Sequence, residues 1–300
     1  MRNTRSRVLA LLTAGCMGLA AAPAFAQQAV LERDLTRLAA LLAGDFDNQE
    51  QVYFEGELEV DMSLRHSRER QIIEAVEASD TATLAWRRLA EDSDTVTARG
   101  LWRLRVDAEA GALRMARWQL PLLADLERAA IEPDAVGSAQ CDVIWLRRAA
   151  QFEGQVSGED CDEANGAAWL IADSELQIPA ASIDNEAAAE MPYILRRSRS
   201  FQCWLAIPKR DGENWHFESQ LILPDQGGRA WVDTDEPEPQ RVGIKIRNVA
   251  WPTGTNRDSL VLYVYRGEET SAASYAWGEP TATRLAINLR WMQTSCTLAE

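Results

Sequence analysis

From Val52 to the C terminus, short β-type runs alternate with turns rich in Gly, Asp and Pro. That pattern restricts the chain to an antiparallel barrel or sandwich, since many short strands at this spacing leave no room for crossover helices. Residues 95–106 and 112–120 flank the turn Asp107-Ala108-Glu109-Ala110-Gly111 and read as a hairpin. Further strands are expected at 142–146, 152–156, 168–171, 175–178, 193–207, 215–223, 229–232, 241–249, 260–265, 275–277 and 284–292, and an earlier one within 53–62. Two helices interrupt this text. Leu31, Leu35, Leu38 and Leu42 recur at helical spacing with Gly44 as a stop, and 121–130 opens on a proline that a first helical turn tolerates. At 300 residues and 46% hydrophobic content the chain can bury a large core, and no internal repeat is visible.

The N terminus reads as an export signal. Arg2, Arg5 and Arg7 precede the apolar stretch 8–22, and Ala24-Phe25-Ala26 is a small-residue cleavage site, so the mature chain is expected to begin at Gln27. Gly15-Cys16 offers a competing lipoprotein site, but Thr13 stands where that motif prefers an aliphatic residue. Cleavage after Ala26 removes Cys16 and takes the net charge from −15 to −18. It also leaves four cysteines in an oxidising compartment. Of the three pairings they allow, we favour Cys141 with Cys161 and Cys203 with Cys296. The acidic balance excludes a non-specific nucleic-acid binder, which needs a basic face.

Four short motifs follow one another in order. They are Leu41-Leu42-Ala43-Gly44-Asp45-Phe46-Asp47-Asn48-Gln49-Glu50-Gln51, Gln140-Cys141-Asp142-Val143-Ile144-Trp145, Phe152-Glu153-Gly154 leading to Cys161, and Trp169-Leu170-Ile171-Ala172-Asp173-Ser174-Glu175. Together they resemble the CpcT/CpeT family, chromophore lyases that attach bilins to phycobiliproteins, over about residues 35–205. The resemblance implies a ten-stranded, calycin-like antiparallel barrel with an N-terminal helix, whose mouth holds a linear tetrapyrrole. It divides the chain into a signal peptide at 1–26, a barrel domain at 27–208 and an added β extension at 209–300, pinned by Cys203 to Cys296. In the family an arginine- and tyrosine-bearing strand lies near the bilin. Here 98–103 keeps Arg99 and a bulky aromatic, Trp102.

On that basis Arg99 is expected to hold a propionate, with Arg103 beside it, since guanidinium forks suit carboxylates. Trp102 and Trp145 are expected to stack on the ligand, and Asp142 to relay a proton. Strand alternation alone makes a solvated outer face the more frequent setting for Arg99, Arg103 and Arg105. Asp45, Asp47, Asn48 and Glu50 lack the glycine and late glutamate of a calcium loop, so Asn48 and Gln51 are expected to satisfy backbone groups. His66 and His216 are the only histidines, and no zinc, G-x-S-x-G or P-loop motif is present. The expected function is an exported bilin lyase or a barrel binding a bilin-like carboxylated amphiphile. A non-catalytic envelope binding or interaction protein is the alternative. No cofactor is required, the bilin being the bound substrate, and the partners are an acceptor protein for a lyase and, for a dimer, a second copy.

Overall fold

The computed structural model describes residues 21–299 except 78–81, 91–94, 127, 128, 130–138, 159, 160, 162, 163, 165, 181–190 and 252–255. Helix α1 (Ala21–Leu42) leads into β1 (Gly44–Asp47) and α2 (Gln49–Glu57). Then follow β2 (Arg70–Ala75), β3 (Ala82–Leu89), β4 (Val96–Asp107), β5 (Ala112–Leu120), β6 (Cys141–Arg148), β7 (Gln151–Ser157), β8 (Ala168–Ile171), β9 (Glu175–Ile178) and β10 (Tyr193–Ser198). These nine strands form a meander, and β1 pairs with both β2 and β10 to close a ten-stranded antiparallel barrel. The calycin-like architecture expected for this part of the chain is therefore present.

α1 covers one end of the barrel. Leu31, Leu38, Leu41 and Leu42 join the barrel's core cluster, which puts the leucine stripe in the interior. Arg197, an interior residue of β10, donates to the carbonyls of Leu41 and Ala43 at the helix C terminus and lies 4.6 Å from the Phe46 ring. A cation there complements the helix dipole and satisfies carbonyls that have no intrahelical donor. Burial holds the Arg197 pKa below its usual value, against the charge of Asp173.

The remaining strands are β11 (Ser200–Pro208), β12 (Trp215–Pro224), β13 (Gln226–Asp233), β14 (Arg241–Val249), β15 (Ser259–Arg266), β16 (Ser274–Gly278), β17 (Arg284–Leu289) and β18 (Met292–Leu298). They make two four-stranded sheets, β12-β11-β18-β17 and β13-β14-β15-β16, around a second core that includes Phe201, Ile244, Leu262 and Met292. The expected boundary at 208 moves back to Arg199, because β11 pairs with β12 and β18 and with no barrel strand. Both expected disulfides are present. Cys141–Cys161 ties β6 to the β7–β8 connection, and Cys203–Cys296 joins β11 to β18 inside the sandwich rather than pinning it to the barrel.

The strand expected at 193–207 divides at Arg199 into β10 and β11, and three further expected elements differ. Residues 53–62 are not a strand. The Asp47 carboxylate accepts the Gln49 N–H at 2.7 Å, turning the chain into α2, and a short 3₁₀ turn follows at Met62–Leu64. The run 284–292 is a hairpin, β17 and β18, with its turn at 290–291. Within the expected helix 121–130, Leu126 and Ala129 are helical and 127, 128 and 130 lie outside the described residues.

Candidate functional site

Opposed residues in an antiparallel ladder point to the same side of the sheet, so the register sorts the barrel's two faces. Trp86 lies opposite Gly100, Trp102 opposite Leu84 and Arg117, and both Trp145 and Trp169 opposite Gly154. All of these face inward with Leu104, Met115 and Val143. The four indoles form a chain across the interior. Ring centroids are 6.3 Å apart for Trp86 and Trp102, 5.7 Å for Trp102 and Trp169, and 6.2 Å for Trp169 and Trp145. Two glycines make room for it: a Cβ at Gly100 would come within 2.6 Å of Trp86 Nε1, and one at Gly154 within 2.9 Å of the Trp145 ring.

The cation at this level is Arg117, whose guanidinium lies 5.3 Å from the centre of the Trp169 ring. Toward the end of the barrel away from α1 the interior turns polar, with buried Gln71 and the Arg88–Glu69 ion pair at 3.1 Å. Among the described residues, three buried indole N–H groups, on Trp86, Trp145 and Trp169, find no acceptor. A cleft of about 460 Å³ opens at the α1 end and is lined by Leu31, Leu113, Trp145 and Phe152, with the Asp34–Arg147 pair at 2.6 Å.

Trp102 and Trp145 thus stand inside, as expected of ligand-stacking residues. Arg99, Arg103 and Asp142 do not. On β4 the inward series is Trp102, Leu104 and Val106, which puts Arg99, Arg103 and Arg105 on the outer wall. Leu101, which shares that outer face, is covered by Trp118, Leu120 and Ala129. Arg99 Nη1 donates to the Leu122 carbonyl at 2.6 Å. Asp142 accepts from Arg114 at 2.7 Å, and the same arginine holds Asp107 at 2.9 Å. These two carboxylates keep the Arg114 pKa above its usual value, and the register, which sets Asp142 opposite Ala116 on the Arg114 face of β5, puts Asp142 on the outer wall.

The expectation for Asn48 and Gln51 is met. Asn48 donates to Ser67 O and accepts from Glu69 N–H, and Gln51 does the same for Pro192 O and Ile194 N–H. Asp45, Asp47 and Glu50 are taken by Arg70, Arg68 and Arg196. No group of three or more potential ligands could hold a metal among the described residues.

Sequence reasoning overlooked Trp86, Arg88 and Arg117. A signal for Arg117 existed, since Leu113, Met115 and Arg117 share one period-2 face and the first two are apolar. No known family model, curated protein or solved structure matches this chain.

Proposed function

We propose that this protein is an exported, calycin-like barrel that binds a planar, carboxylated amphiphile of the linear-tetrapyrrole class. The observation that carries this reading is the set of buried, unpaired indole donors on Trp86, Trp145 and Trp169. A buried donor without a partner costs about 1–3 kcal/mol, so three in one interior are a cost that a ligand rich in carbonyl and carboxylate oxygens would remove. Its flat face would lie on indole rings, and Arg117 would hold a carboxylate. Binding is favoured over transfer, because Asp142 faces outward and the four cysteines of a chain starting at Gln27 are joined in pairs. In the lyase reading the acceptor protein would bring the thiol and the barrel would only position the chromophore. Export rests on the signal-like residues 1–26 and on the two disulfides, which persist in oxidising compartments.

The test is a titration of the purified protein with biliverdin, read by visible absorbance and by tryptophan emission. A red-shifted, intensified band with quenched emission supports the proposal. An unchanged spectrum removes it. Thioether transfer to an added phycobiliprotein acceptor would bring back the lyase reading.

A further inference from the structure

The sandwich has a face that the barrel's chemistry does not use. In the β13-β14-β15-β16 sheet the outward residues form rows across the strands: Trp231, Gly243 and Tyr265; then Arg229, Lys245, Tyr263 and Tyr275; then Arg247, Val261 and Trp277. Three of the chain's five tyrosines lie on this one surface, and a fourth, Tyr53 of α2, covers Arg247 with its ring 3.6 Å away. Gly243 lets Trp231 lie flat over the sheet, because a Cβ there would meet the indole at 2.7 Å. At the far edge Tyr275 and Trp277 are 62% and 68% exposed. Large aromatic rings left this open on a soluble surface mark a binding face.

The charge on this face is opposite to that of the molecule. The chain carries −15 overall, yet Arg229 and Lys245 stand outward here, beside Arg241, which is paired with Glu268 at 3.2 Å, and Arg247, which is buried beneath Tyr53, against one strand acid, Asp233. Arg229 lies 5.0 Å from the Tyr265 ring and Arg241 5.1 Å from Trp231. Over its ring Arg229 keeps its planar N–H fork for an anion, while the Arg241 fork already holds Glu268. Beyond Trp277 the surface drops into a cleft of about 350 Å³ between Trp251 and Trp277, bordered by Asn256, Arg257 and Asp258.

An acidic sugar polymer matches this arrangement. A pyranose ring offers an apolar C–H face to an aromatic ring, and a uronate adds one carboxylate per sugar to meet Arg229, with Lys245 opposite it on β14. The four strands span about 14 Å, so several linked rings would be engaged at once. A nucleic-acid duplex has a denser line of charge, about one phosphate per 1.7 Å, and a single strand calls for a continuous basic groove, whereas the strand cations that stand outward here are Arg229, exposed, and Lys245, half-buried. We propose that the outer face of the β13–β16 sheet is a second binding site, for a polyuronate, in which Tyr275 and Trp277 stack on sugar rings and Arg229 takes a carboxylate.

Affinity electrophoresis of the purified protein tests this. Gels containing polygalacturonate should retard it, gels containing neutral dextran should not, and added salt should weaken the retardation as exposed ion pairs are screened. The Tyr275→Ala/Trp277→Ala and Arg229→Ala variants should each lose tenfold or more in apparent affinity while keeping the wild-type thermal transition, because these side chains are exposed. Unaltered migration in polygalacturonate overturns the proposal. So does equal retardation by dextran, equal retardation of the variants, or a shift with single-stranded DNA and none with polygalacturonate.

Discussion

Arg99 and Arg117 stand on neighbouring strands and on opposite sides of the same barrel wall. Alternation within β4 groups Arg99 with Arg103 and Arg105, but it does not say whether that group faces in or out. Leu101, in the middle of the group, is buried by residues from β5 and from around Ala129, a contact outside the reach of local sequence. The outer wall is thus partly apolar and the interior partly cationic, the reverse of what either composition suggests alone. Asn48 was legible for a simpler reason: a polar residue between a strand and a helix has unpaired backbone groups within reach. Asn48→Ala removes partners from both Ser67 O and Glu69 N–H, and we expect a loss of about 2–4 kcal/mol in a urea unfolding titration. A second residue-scale prediction concerns Asp235. The Lys209 ammonium, and after it His216, hold its pKa down at about 2. A carboxylate depressed in the folded state adds stability above its unfolded value and loses it as pH falls toward the folded one. Its NMR titration midpoint should therefore lie near 2, and Lys209→Ala should move that midpoint upward.

At the scale of elements, periodicity located most strands of the meander and of the sandwich, including the β4–β5 hairpin. The failures share one cause. The span 53–62 has strand-like alternation, but α2 forms there because its helical turns place Tyr53 over Arg247 and Phe54 against Trp251, 5.8 Å away, both distant in sequence. The single strand expected at 193–207 divides at Arg199, where Asp225 accepts from the Arg199 N–H and side chain at 2.8 and 2.7 Å. The disulfides yield an element-scale prediction. The chain-entropy model gives about 3 kcal/mol for a short loop and about 4.7 kcal/mol for one near 100 residues. The two loops here separate their cysteines by 20 and 93 positions. Replacing Cys203 and Cys296 by serine should lower the unfolding midpoint more than replacing Cys141 and Cys161. The reverse order would mean that the loop constraint does not control stability. Titrating thiols in denatured, unreduced protein from an exporting host should find none at these four positions, and four reactive thiols would contradict the cross-linked fold.

Across the whole molecule, two cores are joined at one seam. Glu50 of α2 holds Arg196 of β10 and accepts the Ala250 N–H at 2.9 Å, while Arg68 reaches the Gln226 carbonyl at 3.2 Å. Barrel and sandwich thus present separate surfaces, an aromatic interior with unpaired donors and an aromatic, cationic outer sheet. The short motifs pointed to the first, and the second depended on a sheet register that no linear motif reveals. On the function proposed above, the barrel interior and not its outer wall binds the ligand. The most direct test of this placement is the biliverdin dissociation constant of Arg117→Ala measured beside that of Arg99→Ala. Loss of one charge-assisted contact is worth about 1.5–3 kcal/mol, or roughly 10- to 150-fold. We predict that weakening for Arg117→Ala and wild-type affinity for Arg99→Ala; the opposite ranking, or no effect from either, would mean that the ligand does not bind inside the barrel.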